Sequence, residues 1–418
     1  MKIYKRFEEK IYMLAKKYSK KVGLDLPYFI KGGFWLSVGQ FFSLLKGFIL
    51  SIVFANFLSK EVFGEYSFIM AVLDIAGIFA LPGMGVAVIQ AVARGYEGTY
   101  FKALKEIFKW SWLGSLFLLC FSIYEYLFGR FDLCLIFLIL SSLFPFYSIS
   151  RFYPNFFNGK KKFDVLVKLS SFFNIISTIL IVIVVLFTKS AFWIVVVTVT
   201  IQILIQGYFS LVYVKKFVEN DYVDESSIRF GKSISSSMAF SNIANNFDSL
   251  IITYFLGFSD LAIFKIVTLL PNQIKIFANA LSPMLLPKMA SQNTSKRDLM
   301  KYFKKFFLIV IFLILIYLII APFIFKWFYP KYYDYVWLSM LFHLSFIVML
   351  YILPFNYLIK EKKGYLINKF YTYSAILLIF LSLIGIYFYG LLGAIMARII
   401  YRVFIVFITF LFFLKYCK

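Results

Sequence analysis

The stretch FFLIVIFLILIYLIIAPFIF, residues 306–325, runs for twenty residues without a charged side chain. A helix of about 20 apolar residues has the length needed to cross the ~30 Å hydrocarbon core of a bilayer. Similar runs recur along the chain, and 62% of its 418 residues are hydrophobic. A soluble core could not bury so much apolar surface, and the runs lack the alternation of barrel strands. The sequence therefore predicts an all-α integral membrane protein.

The apolar runs predict about twelve transmembrane helices, separated by short polar or basic connections. Their approximate ranges are 33–56, 64–90, 107–128, 131–150, 165–188, 191–214, 233–256, 260–284, 303–325, 335–358, 366–388 and 391–414. We number them spans 1 to 12. The shortest connections predict tight turns between spans 5 and 6, spans 7 and 8, and spans 11 and 12.

The 44 Lys and Arg residues are distributed unevenly among the predicted connections. Nine of them lie in residues 1–31, and the connections on that same side of the membrane hold most of the others. The connections on the opposite side contain only Lys60, Arg130, Lys189, Lys326 and Lys331. The positive-inside rule then places both termini in the cytoplasm. Topology thus accounts for most of the net charge of +24, and we expect no nucleic-acid partner.

Residues 1–31 are predicted to form a cytoplasmic amphipathic segment. Phe7, Ile11, Leu14 and Tyr18 recur at helical spacing, and lysines occupy the other side. Such a helix suits the surface of an anionic inner leaflet. A partner-binding helix is the alternative interpretation of the same pattern.

The chain contains a short internal repeat. FLSKEVFGEY (57–66) joins spans 1 and 2, and FLGFSDLAIF (255–264) joins spans 7 and 8 at an offset of 198 residues. Six spans lie on either side of the polar connection between spans 6 and 7, which predicts two six-helix lobes, residues 32–220 and 221–418. Repeats of this kind place a substrate path at their interface, near the bilayer midplane. We therefore expect a central cavity between the lobes.

Several spans contain ionisable residues, which are costly in a bilayer and usually face a protein interior or a wet cavity. They include Lys46 in span 1, Asp74 in span 2, Asp248 in span 7, Lys265 and Lys275 in span 8, and Arg398 and Arg402 in span 12. Cations near the middle of spans outnumber carboxylates there by four to two. Since arginine and lysine both bind phosphate oxygens, the excess predicts an anionic ligand, and a diphosphate would suit it.

Span 8 carries a polar seam at alternating steps of three and four residues, which places its members on one face of a helix. The seam consists of Lys265, Thr268, Asn272, Lys275, Asn279 and Ser282. Such a face predicts the wall of a hydrated cavity, and Pro271 is expected to kink the helix beside it. Asn272 and Asn279 are therefore candidate ligand-binding residues together with the cations.

An alternative interpretation assigns the charges to structural ion pairs, Lys46 with Asp74 and Arg402 with Asp248. In a transport mechanism, Asp74 and Asp248 are instead candidates for a proton or sodium site, because low dielectric raises the pKa of a carboxylate toward neutrality. The sequence contains no phosphate-binding loop, no nucleophile beside a base and no metal spacing among its three cysteines. We therefore expect neither enzymatic activity nor a cofactor, and coupling would use H⁺ or Na⁺.

Three stretches carry a family resemblance: residues 32–95, residues 245–290 and YGLLGAIMARIIYR (389–402). In the first, Gly64, Glu65 and Tyr66 form a Gly-Xaa-Tyr unit at the start of span 2, and a glycine-rich segment precedes a basic loop. The pattern resembles the polysaccharide transporter, or O-antigen flippase, family of the multidrug/oligosaccharidyl-lipid/polysaccharide (MOP) exporter superfamily.

The resemblance implies two six-helix lobes in a V shape and alternating access in a bacterial cytoplasmic (inner) membrane. It implies a flippase that moves an undecaprenyl-diphosphate-linked oligosaccharide repeat unit to the outer leaflet for O-antigen or capsule synthesis. Lys46, Lys275, Arg398 and Arg402 become candidate diphosphate contacts. The partners implied are the lipid-linked oligosaccharide, membrane lipids, a polysaccharide polymerase and a chain-length regulator.

Two other functional classes fit part of the pattern. A membrane polymerase or glycosyltransferase would also handle lipid-linked sugars, although such enzymes usually need a large outer loop or catalytic acids. A small-molecule or drug antiporter of the same superfamily would share the fold, although a basic cavity does not favour cationic drugs.

Overall fold

The computed structural model describes residues 26–279, 296–351, 354 and 364–416. Nearly all of them are helical, and none of them lies in a β-strand. Nine helical segments in these ranges are long and apolar enough to cross a membrane. The chain is therefore a multi-pass α-helical membrane protein, as the sequence predicts. The predicted amphipathic pattern at residues 7–18 lies outside the described residues.

The helices follow the predicted spans closely. In the N-terminal half they are α1 (Leu26–Phe57), α2 (Lys60–Ala76), α3 (Met84–Ala93), α4 (Thr99–Leu127), α5 (Phe131–Ser150), α6 (Tyr153–Gly159), α7 (Phe163–Thr188) and α8 (Ala191–Ile201), the last of which continues in π and 3-10 turns to Phe217. In the C-terminal half they are α9 (Glu225–Leu256), α10 (Phe258–Asn279), α11 (Lys296–Phe328), α12 (Val336–His343) and α13 (Gly364–Tyr416). Turns of 3-10 helix, Pro330–Tyr335 and Leu344–Tyr351, flank α12.

Span 2 is not the continuous helix predicted for residues 64–90. After α2 the chain forms a short 3-10 turn, and Leu81 adopts a left-handed conformation with φ 52° and ψ 65°. The α conformation is disfavoured before a proline, and Pro82 follows directly. The chain resumes as α3 from Met84. Backbone freed by such a break is tolerated inside a membrane only against protein or water.

The predicted tight turn between spans 11 and 12 is a sharp reversal within α13. Gly390, with φ 57° and ψ −134°, separates two helical halves. The halves cross at two glycines, since a Cβ on Gly393 would lie 1.7 Å from the carbonyl oxygen of Gly385. Only glycine permits backbones to approach this closely.

The internal repeat corresponds to equivalent structural features. Helices begin at Lys60 and at Phe258, 198 residues apart, and each follows a short turn after a long helix. The two repeats also pack against each other, because a Cβ on Gly64 would lie 1.8 Å from the carbonyl oxygen of Phe258. The contact of α2 with α10 therefore joins the two halves of the chain through backbone.

We predict that Gly64→Ala separates α2 from α10. The added methyl group cannot be accommodated by side-chain motion because its nearest neighbours are backbone atoms. We expect a loss of about 3 kcal/mol in stability, the upper part of the usual range for overpacking. Thermal unfolding in detergent would measure it. Gly33→Ala is the matched control, since nothing lies within 4 Å of that position; equal melting temperatures for the two variants would contradict the prediction.

Polar contacts link the halves at the end of the bundle that the charge pattern places outside. Ser51 and Tyr329 share a hydrogen bond of 2.8 Å between their hydroxyl groups. Asn56 Nδ2 donates to the Phe328 carbonyl at 2.8 Å, and Lys331 Nζ donates to the Asn56 carbonyl at 2.6 Å. We call Ser51, Asn56, Tyr329 and Lys331 the outer contact. It joins the two halves of the chain at this end.

Ion pairs hold the opposite end of the bundle together. Arg94 Nη2 lies 2.6 Å from Asp224 Oδ2, and Lys160 pairs with Glu97 and Glu219. Although burial disfavours its charged form, these hydrogen bonds raise the pKa of Lys160. All of these groups come from connections that the charge pattern predicts on the cytoplasmic side. The contacts among these groups agree with the prediction that the connections lie on the same side of the membrane.

The same end includes the start of α9. Hydrogen bonds from Ser226 and Ser227, together with the Arg94 charge, lower the pKa of Asp224 to about 2. Asp224 also caps α9 by accepting from the backbone N–H groups of Ser226 and Ser227. The cap fixes the beginning of the helix that carries Asp248.

Candidate functional site

Arg398 joins α13 to α9. Its Nε donates to Asp248 Oδ2, and its Nη2 donates to the backbone carbonyl of Asn245 at 2.9 Å. The Asp248 side chain is fully buried, so water screens the pair little. The Phe264 ring lies 5.6 Å from the guanidinium carbon. The alternative that paired Asp248 with Arg402 is wrong, because Arg398 occupies the carboxylate.

Arg402 lies one turn further along α13 and is nearly completely buried. Its Nη1 donates to Ser345 Oγ and its Nη2 to Asn272 Oδ1, both at 2.6 Å. The Phe342 ring packs 4.7 Å from the guanidinium carbon. Arg402 therefore has neutral partners, which satisfy hydrogen bonds without cancelling its charge.

Lys46 and Asp74 do not form the ion pair that the alternative interpretation assigned to them. Lys46 Nζ donates to Ser177 Oγ at 2.7 Å and lies 4.6 Å from the centre of the Phe173 ring. Asp74 Oδ1 instead lies 3.7 Å from Arg151 Nη1. The α1–α7 packing inside the N-terminal half thus directs Lys46 toward a hydroxyl group and away from Asp74.

Lys265 is half-buried on α10. It interacts electrostatically with Asp74, Asp248 and Arg398. Within the described ranges its ammonium group forms neither a hydrogen bond nor an ion pair. Lys265 therefore lies among the charges of both halves, and its ammonium group retains its capacity to donate.

The remaining seam residues of α10 differ in what they contact. Asn272 accepts from Arg402, whereas Thr268 is buried and donates to the Phe264 carbonyl of its own helix at 2.7 Å. Lys275 and Asn279 belong to α10, but their side chains lie outside the part of the chain that can be described. In the described part of the seam, the side chains of Thr268 and Asn272 are hydrogen-bonded to protein, whereas the ammonium group of Lys265 is not.

Pro271 leaves the Val267 carbonyl without its helical N–H partner. Ser339 Oγ donates to this carbonyl at 2.8 Å and shares a 2.6 Å hydrogen bond with the Tyr317 hydroxyl. The helix continues through the proline to Asn279. Protein, rather than water, thus satisfies the freed group.

A cavity of about 440 Å³ lies between the N-terminal half and α9. Its polar lining consists of Asp74, Tyr147, Ser148, Arg151, Asn155, Asn242 and Asn246. The side chains of Asp74 and Arg151 are 47% and 53% exposed, although both face the interior. Water can therefore reach this pair inside the bundle. The break after α2 also contributes, since Leu81 and Pro82 line the wall.

Arg151 directly follows predicted span 4 (131–150), in a connection predicted on the cytoplasmic side, so it was not among the predicted interior charges. A signal was present, because Tyr147 and Ser148 precede Arg151 by four and three residues and Asn155 follows it by four, the spacings that mark one helical face. Arg151 Nη1 donates to the Tyr147 hydroxyl at 3.2 Å along this face. The pattern crosses from α5 into α6 and therefore extends beyond the end of predicted span 4.

The charges of the interior do not cancel. Arg398 pairs with Asp248, and Arg151 with Asp74. Lys46, Lys265 and Arg402 have no carboxylate partner among the residues that the structure describes. The described interior therefore carries a positive surplus, which is the condition for holding an anion.

Solved structures share this fold. The lipid II flippase MurJ in an inward closed conformation superposes with a TM-score of 0.68 at 18% identity, over 91% of this chain and 87% of that chain. An outward-facing multidrug resistance MATE transporter of the MOP superfamily gives 0.61 at 10% identity, over 93% and 95%. A MOP superfamily transporter from Pyrococcus furiosus, described as having a binding pocket of reverse polarity, gives 0.59 at 9%, over 93% and 95%.

The fold is shared with transporters of the MOP superfamily. The cavity beside Asp74 lies mostly among helices of the N-terminal half, and its lining does not include Lys46, Lys265, Arg398 or Arg402. A family model described as "Polysaccharide biosynthesis protein" matches residues 29–292, more than half of the chain. The chain belongs to this family, which confirms the predicted resemblance. The comparison with curated proteins found no match. The solved structures named above are those of transporters and of a flippase.

Proposed function

We propose that this protein is a flippase for an oligosaccharide linked to a polyprenyl diphosphate, the undecaprenyl carrier being the expected lipid. It would move the repeat unit from the cytoplasmic to the outer leaflet of a bacterial cytoplasmic membrane, with both termini in the cytoplasm. The product would supply O-antigen or capsule synthesis through a polymerase and a chain-length regulator. The family match and the likeness to a lipid II flippase support this proposal.

The positive surplus of the interior carries the proposal. A diphosphate needs several donors and net positive charge in a site that excludes most of the water. Lys46 and Lys265 meet this need best among the described cations, because neither has an anionic partner there and the ammonium group of Lys265 donates no hydrogen bond to a described residue. Arg398 and Arg402 remain predicted diphosphate contacts, although each already binds protein groups.

Translocation of a labelled lipid tests the function directly. Purified protein in liposomes should move a fluorescent undecaprenyl-diphosphate oligosaccharide between leaflets, and a membrane-impermeant quencher would report the accessible fraction over time. Formation of a new glycosidic bond would indicate a polymerase or glycosyltransferase. Drug movement without lipid movement would indicate an antiporter. Deletion of the gene should remove surface polysaccharide from the source bacterium, and normal surface polymer would contradict the proposal.

Lys265→Gln is expected to slow translocation about tenfold or more, because one fully charged contact to phosphate is worth about 1.5–3 kcal/mol. Lys265→Arg should retain most of the activity, since it keeps the charge. The initial rate of quenching in the liposome assay measures both. Lys326→Gln removes the same charge from an exposed position at the end of α11 and should have no effect. Equal rates for the two glutamine variants would remove Lys265 from the site.

We propose that Asp74, rather than Asp248, is the residue that couples transport to H⁺ or Na⁺. Asp248 is fully buried and already paired with Arg398, whereas Asp74 lines a cavity that water can reach. Asp74→Asn should make translocation independent of an imposed pH or sodium gradient while lipid binding persists. Quenching rates with and without each gradient measure this. A variant that still responds to the gradient would exclude Asp74 from coupling.

A further inference from the structure

The cavity beside Asp74 differs in charge from the rest of the interior. Asp74 and Arg151 form its charged lining, and their opposite charges cancel. Its other polar groups are neutral: the carboxamides of Asn155, Asn242 and Asn246, and two hydroxyl groups. A neutral cavity is a poor site for a diphosphate, so it requires a separate explanation.

The carboxamides are arranged to leave acceptors open. Asn155 Nδ2 donates to the Phe152 carbonyl and Asn246 Nδ2 to the Asn242 carbonyl, both at 3.2 Å. Each amide oxygen can accept two hydrogen bonds, and neither oxygen accepts one within the described ranges. The Asn242 side chain also forms no hydrogen bond there. These groups therefore match a ligand that carries many hydroxyl groups.

The walls also contain aromatic carbon surface. Phe144, Tyr147 and Phe152 line the same cavity as the carboxamides. A volume of about 440 Å³ lies within the ~300–1,000 Å³ range of small-molecule sites. Apolar surface with a few placed polar groups is the usual composition of such a site. A sugar ring presents C–H faces and hydroxyl edges, which are complementary to these two kinds of surface.

The position of the cavity relates it to the cations. Arg398 Nη2 donates to the carbonyl of Asn245, the residue before the cavity-lining Asn246, so a candidate diphosphate contact lies close to the neutral cavity. Lys265 also interacts electrostatically with Asp74. A ligand in which a sugar is attached directly to a diphosphate has the same order of neutral and anionic parts. Because Asn242 and Asn246 lie on α9 while the other polar groups lie on α2, α5 and α6, such a ligand would contact both halves of the protein.

We propose that this cavity binds the first sugars of the lipid-linked oligosaccharide, next to the diphosphate. The inference rests on the proposed flippase function. It assigns recognition of the sugar to Asn155, Asn242 and Asn246, and recognition of the diphosphate to the neighbouring cations. Selection of the substrate by its sugar would then be separable from its affinity for the lipid diphosphate.

The test measures binding of two probes to the full-length protein in nanodiscs: undecaprenyl diphosphate, and the same lipid carrying one N-acetylhexosamine. We expect wild-type protein to bind the sugar-bearing lipid at least about tenfold more tightly, as two or three new hydrogen bonds would allow. The double variant Asn242→Leu and Asn246→Leu, similar in volume, should lose this preference and keep its affinity for the sugar-free lipid.

Asn158→Leu is the matched control, since Asn158 lies one turn from Asn155 on α6 and does not line the cavity. It should keep the preference. Unchanged affinity for the sugar-free lipid verifies that each variant is folded. Equal binding of both probes by wild-type protein, or a preference that survives in the double variant, would overturn the sugar site. Failure of the wild-type protein to bind either lipid would instead overturn the proposed function.

Discussion

Arg398→Ala is expected to leave little folded protein. The substitution removes the partner of Asp248, whose side chain is fully buried, and leaves an unpaired charge in the membrane interior. Breaking a buried pair in this way costs about 3–5 kcal/mol. The yield of monodisperse protein in detergent and its melting temperature measure the loss. A melting temperature close to that of wild type would contradict a structural role for the pair.

A double variant separates the structural role of Arg398 from its predicted role in binding. Replacing both partners by apolar residues, Arg398→Met with Asp248→Leu, removes the unpaired charge and should restore most of the stability. If Arg398 also contacts the diphosphate, the restored protein should remain slow in translocation. If it moves lipid at the wild-type rate, Arg398 is structural only.

Arg151→Ala is the comparison for this pair. Arg151 faces Asp74 at 3.7 Å, but both side chains are about half exposed to the cavity. Exposed pairs contribute only about 0–1 kcal/mol, so we expect a small effect on stability. The contrast between the two arginines therefore tests whether burial of the partner carboxylate determines the outcome.

Locking the outer contact is expected to abolish translocation. Alternating access requires the lobes to separate at the end where α1 meets the turn after α11, and Lys331 of that turn binds the Asn56 carbonyl. Asn56→Cys with Lys331→Cys, joined by a short bifunctional reagent with reducible disulfide links, would hold this end closed. Translocation should fall to the background of empty liposomes and return after reduction. Native cysteines would first be replaced, including Cys120 and Cys134.

The control for this experiment is a cross-link inside one lobe. Tyr126 and Phe131 face each other across the turn between α4 and α5, with ring centres 5.7 Å apart, and both are exposed. The same reagent on cysteines at these positions should leave the translocation rate unchanged. Full activity of the cross-linked outer contact would show that this end need not open.

The two arginines of span 12 illustrate why charge patterns alone gave an incomplete site. Their spacing correctly placed Arg398 and Arg402 on one helical face toward the interior. The sequence could not show that Asp248, Asn272 and Ser345 accept hydrogen bonds from the two arginines, because these three residues lie in other segments of the chain. The sequence also could not show that Lys46 and Lys265 form no ion pair with a described carboxylate, because this depends on how neighbouring helices pack around them.

What the sequence determined by itself was the fold class and its internal symmetry. In a bilayer, the backbone N–H and C=O groups of long uncharged runs must be hydrogen-bonded within the run, which requires helices. The repeat at 57–66 and 255–264 indicates that the chain contains two similar sets of these helices. The break at Pro82 was missed, because residues 64–90 were predicted as one helix, and the reversal at Gly390 was predicted only as a tight turn between spans 11 and 12. Only the tertiary structure decided the ion-pair partners and the neutral cavity containing Arg151. Periodicity fixes the face on which a side chain lies, whereas its partners depend on helices distant in sequence that meet through packing.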